Sequence, residues 1–252
     1  MAAEPMKLSP RGARLSGKVA VVTGGSRGIG LAIARALASE ACNVVISGRS
    51  QEKLEQAAAR VREGNSGNGR ILPCVCDVRN FESVERLFAI VAAEFGLLDI
   101  LVNNAGISQS ATPVEKTDVS LWRDIIDTNL TGTFLCTRTA LPLIKRGGTI
   151  LNVISVAARD SFAGYAPYNA SKAGALSFTQ TLRQELMERG IRVTALVPGA
   201  INTDIWQQVM PDAPREKMME AESVASLVLE AVVLSPKANL TELVLDPIEG
   251  AL

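Results

Sequence analysis

Short runs rich in β-branched and aliphatic residues alternate along the chain with stretches whose apolar positions return every three to four residues. The runs are K-V-A-V-V-T, N-V-V-I-S, I-L-P-C-V-C, L-D-I-L-V-N, T-I-L-N-V-I-S, R-V-T-A-L-V and T-E-L-V-L. Several are apolar at nearly every position, as expected of strands covered by helices on both faces. Between them, G-L-A-I-A-R-A-L-A-S-E and E-S-V-E-R-L-F-A-I-V-A-A-E-F carry the helical period, and further helices are expected over Ser120–Lys145 and Pro167–Arg189. This rhythm predicts an α/β fold: one doubly wound, mainly parallel seven-stranded sheet with helices on both faces and right-handed crossovers. No repeat or long linker divides it, so residues 16–252 are read as one domain behind a flexible N-terminal segment, 1–15. The polar stretch R-E-G-N-S-G-N-G-R reads as a surface loop.

Composition narrows the function. The 252 residues are 47% hydrophobic and 21% charged, with 26 basic and 26 acidic side chains. A net charge of zero offers no field for nucleic acid or an anionic membrane. No apolar run is long enough to span a bilayer, and the first residues lack the apolar core of a secretory signal. Arg11, Arg14 and two serines give a faint transit-peptide character that Glu4, Pro5 and Pro10 oppose. The cytoplasm is the expected location. Histidine is absent, which removes Ser-His-Asp and Cys-His nucleophiles and the usual catalytic zinc sites; no metal site is expected. Cys42, Cys74, Cys76 and Cys136 show no C-x-x-C spacing. They read as buried packing residues, with Cys74 and Cys76 on the same side of a strand.

Two patterns carry chemistry. The first strand ends at Thr23 and runs into T-G-G-S-R-G-I-G before an amphipathic helix. Gly24, Gly28 and Gly30 allow a tight turn and close backbone approach to a pyrophosphate, which the helix start would receive. Ser26, Arg27 and Ile29 of the turn are candidate cofactor contacts. The second strand ends I-S-G-R-S, with Arg49 and Ser50 where NAD-selective folds carry a carboxylate for the adenosine ribose. Arg27 and Arg49 suit a 2′-phosphate, so NADP(H) is favoured over NAD(H). The second pattern is Y-N-A-S-K, which sets Tyr168 and Lys172 one helical turn apart. A neighbouring ammonium is expected to lower the phenol toward a range where it exchanges protons at cellular pH. Ser155, ending an apolar run, can donate a hydrogen bond to a substrate oxygen.

From Gly17 to Leu245 the chain resembles the short-chain dehydrogenase/reductase family. The matching elements are T-G-x-x-x-G-x-G at Thr23–Gly30, D-V at Asp77 and Val78, N-N-A-G at Asn103–Gly106, Asn129, Ser155, Tyr168 with Lys172, and P-G at Pro198 and Gly199 followed by Thr203. The resemblance implies a Rossmann-type catalytic domain and assigns roles. Asp77 would accept from the adenine amine, with Val78 near the base and Asn104, Ala105 and Gly106 along the adenosine channel. Tyr168 would be the general acid in reduction and the base in oxidation. Lys172 would bind the nicotinamide ribose and lower the tyrosine pKa, Ser155 would steady the substrate oxygen, and Asn129 would hold a water linking Lys172 to solvent. Ile201 and Thr203 would contact the carboxamide end of the cofactor. Asn103 reads as a tie between strands, and Pro198–Gly199 either as cofactor contacts or as the end of a strand.

Two departures qualify the resemblance. The chain ends V-L-D-P-I-E-G-A-L in place of a D-G-G segment, and the lid-like stretch after Thr203 is short. Trp206, Val209 and Met210 there face a ligand or cover the core. The expected activity is an NADP(H)-dependent interconversion of a carbonyl and a secondary alcohol. A small-molecule 3-oxoacyl substrate, with or without an acyl carrier, leads, ahead of sugar, polyol or 3-hydroxy acid substrates. The reading of another class is a non-catalytic cofactor-binding regulator. Small and apolar positions on the two long helices, including Ala170, Ala173, Gly174, Ala175, Phe178 and Leu182, predict a homodimer or homotetramer.

Overall fold

All seven apolar runs form strands of a single sheet in the computed structural model, which describes residues 13–63, 68–235 and 237–250. The chain runs β1 (Val19–Thr23), α1 (Gly28–Ala38), β2 (Asn43–Gly48), α2 (Gln51–Glu63), β3 (Ile71–Val75), α3 (Phe81–Phe95) and β4 (Leu98–Asn103). It continues through α4 (Val119–Ile126), α5 (Gly132–Ala140), β5 (Ile144–Val153), α6 (Ala166–Leu186), β6 (Arg192–Pro198), α7 (Ile205–Val209), α8 (Ala221–Val233) and β7 (Glu242–Leu245). Every pairing is parallel and the strand order is β3-β2-β1-β4-β5-β6-β7. The winding therefore reverses between β1 and β4, and the carboxyl ends of those strands open the crevice in which such sheets bind ligands.

The apolar strands serve two cores at once. In β1, Ala20 and Val22 face the core packed by α1, α2 and α8, while Val19 and Val21 face the one packed by α3, α5 and α6. Side chains alternate across a strand, so a strand covered on both faces is mostly apolar, and the polar residues it does carry, such as Asn103 and Asn152, are buried. The four cysteines are buried free thiols. Burial pushes Cys42 up to about 12 and Cys76 up to about 11, which fits the packing role, and Cys74 and Cys76 share one core as expected.

Three boundaries differ from the sequence reading. The helix expected over Ser120–Lys145 is α4, a wide π-helical turn at Asp127–Thr131, and α5, which ends at Ala140. β5 then begins at Ile144, ahead of Thr149, and accommodates Lys145–Gly148 through a register shift against β4 between Leu98 and Ile100. The N-terminal boundary also moves. Leu15 is buried and donates its backbone N–H to Glu40, whose carboxylate pairs with Arg14. The packed body thus takes in Arg14 and Leu15, ahead of residue 16, while residues 1–12 lie outside the described residues, as do 64–67 of the expected surface loop. Finally, Ala175 and Leu182 of α6 are buried in the chain's own cores, so they are not surplus apolar surface.

Candidate active site

A cavity of about 400 Å³ lies at the carboxyl end of the sheet. Its wall brings together Gly24, Ser26, Arg27, Gly28 and Ile29 of the glycine turn with Arg49, Asp77, Val78 and Asn104–Gly106. It adds Ser155, Tyr168 and Lys172 from β5 and α6, and Pro198, Gly199, Ile201 and Thr203 from the end of β6. Among the sequence candidates, Gly30, Ser50 and Asn129 are not on the wall. Ser50 instead accepts from the backbone N–H of Lys53 at 3.3 Å, capping α2.

The turn is shaped by the absence of Cβ atoms. Gly24 and Gly28 have φ of 65° and 52°, the left-handed region that glycine enters without cost. A Cβ on Gly30 would lie 2.5 Å from both Asn104 Nδ2 and the Gly24 carbonyl. That closeness lets Asn104 Nδ2 donate to the carbonyls of Thr23 and Gly24, at 2.9 and 3.2 Å. Thr23 Oγ1 meanwhile accepts from the backbone N–H groups of Asn104 and Ala105. Asn104 is thus both a wall residue and the clamp on the turn.

Arg27 and Arg49 are exposed on the wall with no ion-pair partner among the described residues. Asp77 is held by a residue that the motifs did not single out. Arg79 Nη2 donates to Asp77 Oδ2 at 2.7 Å and its Nε to Oδ1 at 3.0 Å, while Nη1 reaches Asp124 at 2.9 Å. These bonds, chiefly the side-chain contact to Arg79, hold the Asp77 carboxyl below the usual range. Arg79 also lines the cavity; the signal available for it was its place directly after D-V.

At the other end, Ser155 follows β5. Its hydroxyl accepts from the backbone N–H of Ala157 at 3.2 Å and hydrogen-bonds Tyr168. Pro167 in the first turn starts α6 without needing a donor, and the helix then presents Tyr168 and Lys172 on one face. Lys172 Nζ sits 5.7 Å from the centre of the Tyr168 ring and donates to the Val153 carbonyl at 3.0 Å. Burial pulls Lys172 down to about 8 and pushes the Tyr168 hydroxyl up, with the Ser155 bond opposing. The expected lowering of the phenol by its neighbour is reversed in the protein by itself. Burial pushes both groups toward their neutral forms, and at the phenol it outweighs the Ser155 bond.

Asn129 stands in the π-helical turn, buried, behind the wall. Its Oδ1 accepts from the Ile107 N–H at 2.9 Å, and its Nδ2 donates to the Ile107 carbonyl at 2.9 Å and to Ser171 Oγ at 3.0 Å. A Cβ on Gly106 would be 3.4 Å from Asn129 Oδ1 and 3.6 Å from Lys172 Nζ, so the two groups approach each other across that glycine. Asn103 ties strands, as expected: its Nδ2 donates to Asn152 Oδ1 and Thr137 Oγ1, and Asn152 continues to Thr179. The end of β6 folds back over the glycine turn, where Thr203 Cγ2 is 3.2 Å from the Cβ position of Gly28. Trp206, Val209 and Met210 all line the cavity, and Trp206 Nε1 donates to the Ile201 carbonyl at 2.7 Å. Phe162, Tyr165 and Asp204, which the sequence reading passed over, line it too.

Among the described residues no group of three or more His, Cys, Asp or Glu side chains is placed to hold a metal ion, and no helix is long and apolar enough to cross a membrane. The short chain dehydrogenase family model matches residues 18–214. A 3-oxoacyl-acyl-carrier-protein reductase of Synechocystis sp. is 39% identical over 197 residues, covering 77% of this chain and 78% of its own. A 3beta-hydroxysteroid dehydrogenase 1 of Eggerthella lenta is 42% identical over 201 residues, 79% of this chain and 76% of its own. Among solved structures, a short chain dehydrogenase from Burkholderia cenocepacia in complex with NADP superposes with a TM-score of 0.85 at 32% identity, covering 93% of this chain and 98% of that one.

Proposed function

Because the chain belongs to the short-chain dehydrogenase/reductase family, we propose that it is an NADP(H)-dependent oxidoreductase interconverting a carbonyl and a secondary alcohol. The observation that carries this reading is the meeting, in one cavity, of the glycine turn with the Ser155, Tyr168 and Lys172 set. A non-catalytic regulator would need the turn but not the set.

The glycine turn, whose backbone takes the left-handed path at Gly24 and Gly28 and opens onto the cavity ahead of α1, fits a dinucleotide phosphate. Arg27 and Arg49 would take a 2′-phosphate, Asn104–Gly106 and Val78 would flank the adenosine, and Pro198, Gly199, Ile201 and Thr203 would contact the nicotinamide end. Support for NADP(H) over NAD(H) is electrostatic. The carboxylate at that end, Asp77, is paired with Arg79, while Arg27 and Arg49 form no ion pair among the described residues; the Burkholderia neighbour is itself an NADP complex. When bound, the nicotinamide supplies or accepts hydride at the substrate carbon.

The protein's own part is the proton. In reduction the Tyr168 hydroxyl, kept protonated by burial, would donate to the carbonyl oxygen as it gains negative charge. Ser155, whose Oγ accepts from Ala157 and whose hydroxyl bonds Tyr168, would turn its proton to the same oxygen once substrate is bound. Lys172 would hold the ribose hydroxyls and return the proton to Tyr168, with Asn129 fixing the backbone at Ile107 beside it. A 3-oxoacyl substrate leads; sugar, polyol and hydroxy acid substrates follow. A homodimer or homotetramer in the cytoplasm is the expected setting.

The test is Tyr168→Phe, which keeps the ring and removes the proton. NADPH oxidation with a carbonyl substrate should fall at least roughly a hundredfold while NADPH binding, read by fluorescence, stays within about twofold of wild type. Near-normal turnover in the variant would sink the mechanism.

A further inference from the structure

The cavity wall divides sharply by charge. The segments before residue 107 contribute Arg27, Arg49, Asp77 and Arg79; past it the charged wall residues are Lys172 and Asp204. Lys172 is committed to the Val153 carbonyl and, on the reading above, to the cofactor ribose. Asp204 is an exposed carboxylate. No cation is left on this half of the wall to pair with an acidic substrate group. The basic side chains of the flanking segments, Arg159, Arg215 and Lys217, lie off the wall and are bonded to Glu242, Asn202 and Glu249.

Much of the rest of this half is apolar and aromatic, with Phe162, Tyr165, Trp206, Val156, Val209 and Met210, beside the uncharged hydroxyls of Ser108, Thr128, Ser155 and Thr203. The chain holds 6 Phe, 2 Trp and 2 Tyr; with Tyr168, four of those aromatics meet at this one place, a concentration that core packing does not require. Their backbones are pinned. The Gly164 carbonyl accepts from the Thr112 N–H at 2.9 Å and from Gln109 Nε2 at 3.2 Å, and Asn169 Nδ2 donates to the Phe162 carbonyl at 3.0 Å. Together with the Trp206 bond to Ile201, these contacts present the rings as a preformed surface. A flat apolar group gains its full burial against such a wall, whereas a carboxylate or phosphate would be desolvated beside Asp204 with nothing to pair with.

We infer that the substrate of this site is an uncharged, largely apolar carbonyl compound with a ring or aryl group near the ketone, or the matching alcohol, and that free oxo acids and phosphorylated sugars are rejected. The inference rests on the oxidoreductase reading. Within it, neutral esters and thioesters rank above hydroxy acids and polyols.

Matched pairs test it with the purified full chain and NADPH: ethyl benzoylacetate against benzoylacetate, and ethyl 4-oxocyclohexanecarboxylate against its free acid. The neutral member of each pair should have a kcat/KM at least about tenfold higher, the least that leaving a desolvated charge unpaired costs. Asp204→Asn should narrow the gap by raising the rate with the acids. Equal or better turnover of the acids overturns the inference and leaves the oxidoreductase reading standing. Reduction of acetoacetyl N-acetylcysteamine thioester with no turnover of either ring ketone overturns the ring requirement. If NADPH binds and no carbonyl of any kind is reduced, the oxidoreductase reading itself fails and takes the inference with it.

Discussion

Replacing Lys172 by Met should change the pH dependence of stability in a direction fixed by the burial of the amine. In the folded chain Lys172 gives up its proton near pH 8; unfolded, it does so near its ordinary 10.5. Between these values the unfolded chain binds more protons, so stability rises with pH. The rise is about 1.4 kcal/mol per pH unit, or about 3 kcal/mol across the window. Tyr168 acts with the opposite sign. Its folded-state value lies above 10, so its contribution is complete below pH 10 and is lost above it. Urea unfolding of wild type and Lys172→Met from pH 7 to pH 10 isolates the lysine, because other titrations cancel in the difference. Wild type minus variant should grow by about 2–3 kcal/mol over that range. The lost bond to the Val153 carbonyl adds a pH-independent offset of about 1 kcal/mol. At pH 7 the buried charge outweighs that bond, and the variant should be at least as stable as wild type. Parallel curves would refute the argument that desolvation governs this amine.

Arg49→Ala should weaken NADPH roughly tenfold or more relative to NADH, the size of one charge-assisted contact; equal weakening of both, by fluorescence titration, would show that Arg49 does not read the 2′-phosphate. Gly30→Ala drives a Cβ to 2.5 Å from Asn104 Nδ2 and the Gly24 carbonyl. It should cost about 1–3 kcal/mol and most of the cofactor affinity, and an unchanged Tm with unchanged NADPH binding would remove Asn104 as the clamp. Trp122 and Phe134 of α4 and α5 and Ala170 and Ala173 of α6 are exposed, so light scattering on dilute protein should return a dimer or larger. A stable, active monomer would disprove the helix-face interface.

The strands were legible because a sheet covered on both faces leaves its strands mostly apolar, and an apolar run of that length has few other readings. Helix ends were less so. Periodicity carried Ser120–Lys145 as one helix because a π-helical turn breaks the hydrogen-bond spacing without breaking the apolar pattern, and the early start of β5 lies in the polar Lys145–Gly148. The site was legible where residues act through their own type and local spacing, as at Tyr168 with Lys172 or the glycines. It was not where a partner comes from far along the chain. Arg79 is defined by Asp77 beside it and by Asp124, and Phe162 and Tyr165 by backbone bonds to Gln109, Thr112 and Asn169. The direction at Tyr168 was missed because sequence places the ammonium near the phenol but says nothing of how dry both are.

The wide turn at Asp127–Thr131 bears on which changes in the gene the protein tolerates. A π-helical turn accommodates one residue more than an α-helix of the same rise, so it behaves as an insertion absorbed in place. Removing a single codon from the stretch would let the coil close to regular α-helical spacing while α4 and α5 keep their present faces. What would be lost is the turn itself, and with it the placement of Asn129 against Ile107 and Ser171. Substitution at exposed Asp127 disturbs none of this. A deletion scan should therefore find that one residue removed inside Asp127–Thr131 spares the helices and loses the Asn129 bonds, whereas one removed from the regular part of α4 or α5 turns its two sides against each other by about 100°.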